Sequence, residues 1–241
     1  MKFKKFLKYI LFFCLLVSVG FLYSFSTTRN HQQKVSKIDI KIEAGISKFL
    51  NHSMVNKLLI QKNETVQNLP KSVINLYGLE SNISKNPYVE EAVVFLTIKG
   101  KLKTTVKQRT PIVRIIQDED VYYVDKQGIK VPLSENYSAR VLLVSGVKND
   151  AEIKEMMPLI SAILADNFLK KEIVGIEKLK NGEVQLAVRS GDYKIDFGTF
   201  SEFEPKFRKL KAFYNNTFSD KTIQKYKLIN LKYHNQVVCT K

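Results

Sequence analysis

Residues 86–114, NPYVEEAVVFLTIKGKLKTTVKQRTPIVR, hold two strands, the turn between them and an exit into a further stretch of chain. From Lys101 to Arg109 the side chains alternate. Leu102, Thr104 and Val106 share one face, and Lys101, Lys103, Thr105, Lys107 and Arg109 share the other. That period of two marks a strand with one face in a core and one in water. The preceding run Val93-Val94-Phe95-Leu96-Thr97-Ile98 is β-branched and aromatic, and Lys99-Gly100 provides a tight turn, so the two runs are expected to pair antiparallel. Pro111 removes a backbone donor and holds Thr110 extended, which places a domain joint near Thr110-Pro111.

Working outward toward the N-terminus, Lys37-Ile38-Asp39-Ile40-Lys41-Ile42-Glu43 alternates in the same way and reads as a first strand. Met54, Val55, Leu58 and Leu59, and then Val73, Leu76, Tyr77 and Ile83, follow helical spacing. The order strand, helix, helix, strand, strand predicts a three-stranded sheet covered on one face by two helices over residues 35–110.

Before this unit, residues 9–25 carry no charge, while Lys2, Lys4, Lys5 and Lys8 precede them. Counted from residue 6, the apolar run is about 20 residues, enough to cross a bilayer core. The flanking lysines place residues 1–8 in the cytoplasm and the bulk of the chain outside. Ser18-Val19-Gly20 also fits a signal-peptidase site, but apolar residues continue through Phe21, Leu22, Tyr23 and Phe25, which favours a retained anchor. Residues 26–34 read as a polar tether.

Beyond Pro111, residues 111–241 read as a mostly antiparallel β domain with two helices, so the whole chain is α+β. Strands are expected at 113–116, 121–124, 129–131 and 140–145, with Asp125-Lys126-Gln127-Gly128 as a turn. A helix capped by Asp150 takes in Ile153, Met157, Ile160, Ile163, Leu164 and Phe168, and Pro158 is expected to kink or restart it. A meander of three strands follows over 173–197, turning at Asn181-Gly182 and Ser190-Gly191-Asp192. Ser201-Glu202-Phe203-Glu204 has the form of a capping box opening a helix that buries Phe207, Leu210 and Phe213 or Tyr214. One last strand is expected from residue 226 to 233, continuing to 238 and lying at a sheet edge.

The 241-residue chain has a net charge of +16, but its lysines are dispersed among Asn, Ser and acidic residues, the pattern of a solvated surface and not of a nucleic-acid stripe. Two cysteines, Cys14 in the apolar run and Cys239 at the far end, cannot form a disulfide framework, and His31, His52 and His234 lack metal-ligand spacing. Neither a catalytic, cofactor nor metal site is expected. Ser145-Gly146-Val147-Lys148 matches Ser-x-x-Lys, but its companion motifs Ser-Asp-Asn and Lys-Thr-Gly are missing.

Taken in order, Asn86-Pro87-Tyr88-Val89, Ala92-Val93, Gly100-Lys101-Leu102, Gln108-Arg109-Thr110-Pro111-Ile112-Val113-Arg114, Tyr123-Val124-Asp125-x-x-Gly128 and Pro132-Leu133-Ser134 resemble the FtsQ/DivIB cell-division family, in a Bacteroidetes-type form. The resemblance implies a POTRA domain for residues 35–110. It also implies a non-enzymatic role at the division septum of the inner membrane, with FtsB and FtsL, small coiled-coil division proteins, as partners. On this view FtsB adds a strand to the final strand, and the positions concerned are Ile229, Leu231, Lys232, Tyr233, Asn235 and Gln236, with Lys232 projecting outward to a partner carboxylate. The alternative is an envelope protein that binds or hydrolyses peptidoglycan through a site no motif reveals.

Overall fold

A computed structural model describes residues 2–61, 64–219, 222–234 and 236–241. The chain folds into two compact units, Met1–Gln108 and Arg109–Lys241.

The first unit opens with α1 (Lys2–Gln32). Its described apolar side chains are exposed throughout, Phe21 by 68%, and from Ile10 it is long and apolar enough to cross a membrane. The stretch expected to be a tether is helical as far as Gln32. No Gly or Pro interrupts residues 21–42, the Thr28 hydroxyl donates back to the Ser24 carbonyl at 2.9 Å, and Arg29 and His31 in the last turn suit the negative end of the helix dipole.

β1 (Lys37–Ile42), α2 (His52–Leu58), a small hairpin of β2 (Ile60–Gln61) and β3 (Glu64–Thr65), α3 (Leu76–Ser84), β4 (Val89–Leu96) and β5 (Lys101–Gln108) follow. The sheet order is β1-β5-β4. β5 therefore lies in the centre, parallel to β1 and antiparallel to β4. Leu102, Thr104 and Val106 are buried, while Lys101 and Lys103 are exposed, as the alternation predicts. Asn51 and Asn75 cap the two helices, each accepting at 2.9 Å, from the Met54 and Gly78 amides. Val55, Leu59, Leu79 and Ile83 of this layer close over Leu102 and Val106. The β2–β3 hairpin and a short 3-10 turn at Lys71–Val73 were not legible in the apolar spacing.

The second unit comprises β6 (Pro111–Gln117), β7 (Asp120–Asp125), β8 (Lys130–Pro132), β9 (Leu142–Ser145), α4 (Asp150–Ala165), α5 (Leu169–Glu172), β10 (Ile173–Lys178), β11 (Val184–Val188), β12 (Lys194–Gly198), α6 (Phe203–Ser219), β13 (Leu228–Asn230) and β14 (Val238–Thr240). Among the described residues they form one sheet in the order β14-β13-β12-β11-β10-β9-β6-β7-β8. Parallel neighbours need a crossover longer than a hairpin. The helices provide two of these, α4 and α5 between β9 and β10 and α6 between β12 and β13. The remaining pairings are antiparallel except β6 with β9, so the domain is mostly antiparallel as expected. The Asp125 turn also forms, with its carboxylate accepting from the Gln127 and Ile129 amides at 2.9 Å.

Four local expectations are corrected. The cap of α4 is Asn149, which accepts from the Glu152 amide at 3.0 Å, and Asp150 is the first helical residue. Pro158 lies within an unbroken α4, because burial of Leu159, Ile160 and Ile163 outweighs the lost backbone bond. Phe168 is outside that helix, next to α5. At α6, the Ser201 hydroxyl lies 3.0 Å from that of Thr199 in place of a capping box, and Glu202 turns the chain at φ +54. Of the two aromatics, Tyr214 takes the buried place.

Val106 is wholly buried and Lys101 is exposed beside Lys37. Val106→Asp is therefore expected to cost more than about 3 kcal/mol, because it buries a charge without a partner. Lys101→Asp is expected to fall within about 0.5 kcal/mol of the parent. Thermal melts of the detergent-solubilised chain measure both, and equal losses would refute the face assignment.

Candidate partner-binding edge

The final strand expected over residues 226–238 is two strands. β13 pairs in parallel with β12 on one side and antiparallel with β14 on the other, so it has no free edge. The reversal begins at Asn230, whose side chain accepts from the Lys232 amide at 2.9 Å. From α6, Lys209 holds the loop by donating to the carbonyls of Leu231, at 3.0 Å, and Tyr233. The Asx turn at Asn230 and the polar run Lys232-Tyr233-His234 were the available signals for a return strand.

At this end of the sheet the free edge is β14. The Leu231 amide donates to the Asp196 carbonyl on the β12 side, so alternation turns the backbones of Leu228 and Asn230 toward β14. Their register partners Thr240 and Val238 face β13. The N–H and C=O of Cys239 then point away from the sheet, while its side chain lies beside Ile229 against the core. A backbone edge of this kind is a template for an added strand.

Ile229 and Leu231 are fully buried in the core, so their side chains are not available at the surface. Lys232, Tyr233 and Gln236 lie exposed in the loop between β13 and β14, with Tyr233 50% exposed. Asn235 lies outside the described residues. The loop thus gathers three of the expected positions beside β14 and leaves two beneath it.

Lys232 does not project freely. Its ammonium lies 2.7 Å from Glu183 Oε2 and 3.0 Å from Asp196 Oδ2, and its stem passes so close to Gly198 that a Cβ there would meet it at 2.9 Å. Glu183, and to a lesser degree Asp196, raise the Lys232 pKa, and the lysine lowers that of Glu183 in return, helped by Asn181. Lys232 is thereby a tie between the turn leading into β11, β12 and the loop.

A second polar cluster that sequence reasoning missed lies under the same domain. Glu172 Oε1 accepts from the hydroxyls of Tyr214 at 3.1 Å and of Ser190, and Tyr193 bonds Ser190 at 2.7 Å and Tyr214 at 2.6 Å. Burial pushes both tyrosines' pKa values up. The cluster joins α5, the β11–β12 turn and α6, and residues so distant in sequence carry no local signal of it.

The Ser-x-x-Lys stretch lies at the end of β9 and in the loop before Asn149, not on a helix turn that would set Lys148 over Ser145. The Lys148 amide is bonded to Glu152 at 2.8 Å. Among the described residues no group of three His, Cys, Asp or Glu is placed to hold a metal.

The chain thus combines an N-terminal helix long and apolar enough to cross a membrane, a small sheet-and-helix domain and a larger mixed-sheet domain. The POTRA-like domain family matches residues 33–107, and the family described as FtsQ/DivIB, C-terminal related, matches residues 110–240. The chain belongs to the FtsQ/DivIB C-terminal-related family. It is similar to the cell division protein DivIB of Clostridium tetani, 24% identical over 174 residues, which are 66% of this chain and 64% of that one. It is similar also to the cell division protein FtsQ of Rhodothermus marinus, 24% identical over 173 residues, 66% of this chain and 63% of that one. The alignments thus span less than two thirds of those relatives.

Lys232→Ala leaves Glu183 and Asp196 without their shared cation, and is expected to lower the melting temperature by a few degrees near neutral pH. The sign follows from the shifts. The depressed Glu183 contributes above the ordinary glutamate range and is lost as the pH falls through its folded pKa, and the raised Lys232 contributes until the pH climbs beyond the ordinary lysine range. The gap between parent and variant should therefore hold across about pH 6–9 and shrink on acidification. Tyr214→Phe removes one donor to Glu172 and is expected to cost about 1–3 kcal/mol in denaturant melts.

Proposed function

We propose that this chain is a non-enzymatic scaffold of the division machinery. It is held in the inner membrane by α1 with residues 1–8 in the cytoplasm and the POTRA-like and β domains outside, at the septum. Its work is to bind and recruit the coiled-coil division proteins FtsB and FtsL. The observation that carries the partner site is the outward backbone of Cys239 on β14, flanked by the exposed Lys232, Tyr233 and Gln236. An extended FtsB segment adds to this edge through backbone bonds, and the loop side chains select it. Tyr233 offers the large, half-exposed aromatic surface that interface anchors favour. Asn235, outside the described residues, is proposed to take part in the same site. The placement of Ser145 and Lys148 supports the non-enzymatic reading over a peptidoglycan hydrolase.

Proline is tolerated on an edge strand where its missing N–H faces solvent. Cys239→Pro is therefore expected to abolish co-purification of FtsB with the full-length chain while leaving the melting temperature within a few degrees. Full retention of FtsB by this folded variant would move the partner site off β14.

A further inference from the structure

The turn between β4 and β5 carries Ile98, at 87% the most exposed large apolar side chain among the described residues. It is not at a remote tip. Lys71 fixes it to the end of α1, its ammonium donating to Asn30 Oδ1 at 2.8 Å, to Gln33 Oε1 at 3.3 Å and to the Ile98 carbonyl at 3.0 Å. The Lys71 amide donates to the Gln33 carbonyl at 2.8 Å, and the Ser36 amide to the Gly100 carbonyl at 2.8 Å. Gly100 sits at φ +75 with the Lys34 carbonyl 2.6 Å from where a Cβ would be, so the turn is clamped against the chain leaving the helix. In consequence Tyr23, Ser26 and Thr27 of α1 line one recess together with Leu96, Thr97 and Ile98.

That height on α1 has a meaning. About 20 residues at 1.5 Å each fill a bilayer's hydrocarbon core, and counted over residues 6–25 the core ends just before Ser26. Tyr23 stands where interfacial aromatics gather. Ile98 lies at the same level. Around it are the exposed cations Arg29, Lys34, Lys37, Lys99 and Lys101. No Asp or Glu occurs in residues 1–38, 66–79 or 92–117, which include every segment meeting at this end of the domain. An apolar tip ringed by lysines without any counter-charge matches a surface that is apolar below and anionic above.

We infer that the β4–β5 turn is a second membrane contact, with Ile98 seated at the interface of the same bilayer that α1 crosses and the surrounding lysines bound to anionic phospholipid headgroups. Each lysine near such a surface adds attraction, and the tether to α1 supplies the proximity. The contact fixes the attitude of the first unit to the membrane. It rests on the single-span reading of α1 proposed above.

The chain contains no tryptophan, so a single introduced one reports its own surroundings. Full-length Ile98→Trp, placed in nanodiscs containing phosphatidylglycerol and lipids brominated near the headgroup, is expected to show blue-shifted emission and strong quenching. Ile46→Trp, 78% exposed in the parent and beyond the far end of β1, is expected to show neither. Adding Lys34→Glu, Lys99→Glu and Lys101→Glu to the Ile98→Trp chain should reduce its quenching to the level of Ile46→Trp. Quenching at position 98 no greater than at position 46, or unchanged by the charge reversals, would overturn the inference. Tyr23→Trp separates the two readings. If it is quenched and position 98 is not, only the turn contact fails, and if neither is quenched, the single span fails with it.

Discussion

Two strands that run the same way cannot be joined by a hairpin, and this constraint arranges the larger domain. The chain leaves β9 and must cross the sheet before β10, and leaves β12 and must cross again before β13. Each crossing is a helix whose apolar face covers the sheet, so α4 and α6 are at once the connections and the second layer of the core. The crossovers also explain a very tight backbone contact. Gly146, at φ +76 after β9, has the Lys178 carbonyl at the end of β10 occupying the space where its Cβ would stand, so no other residue fits where the two parallel strands end side by side.

Polar ties then set the remaining elements on this frame. Glu172 is buried with three hydroxyls around it, an arrangement that costs little only because every member has a partner. Lys232 and Lys209 do similar work at the other end, one between Glu183 and Asp196 and the other on loop carbonyls. The loop between β13 and β14 is therefore held from below. Its exposed side chains and the outward backbone of Cys239 form a pre-set edge, which lowers the ordering cost of adding a strand.

The two units carry different kinds of surface. In the first, the end near α1 is basic and free of carboxylates, with one apolar residue at its tip, the composition suited to a lipid surface. In the second, Lys232 meets Glu183 and Asp196 internally and the distinctive feature is an unpaired strand edge, suited to a polypeptide. The scaffold role proposed above would draw on both.

Much of this was legible in one dimension. Alternation over Lys101–Gln108 identified a half-buried strand and its inward face, since a strand's two-residue period is a local property that burial of Leu102, Thr104 and Val106 merely realises. The apolar run of α1, the Asp125 turn and the three-strand meander were equally local. What the tertiary structure alone decided were the matters where partners are far apart in sequence. Pro158 stays inside a helix because core contacts repay the lost hydrogen bond. The residues after Leu231 turn back as β14 because the Lys209 and Asn230 side chains hold the bend. Lys232, though exposed, is bonded to Glu183, 49 positions earlier. Periodicity records which face of an element is buried, but it holds no record of which distant charge or carbonyl that element will meet, and around β13 and β14 those meetings are what set the geometry.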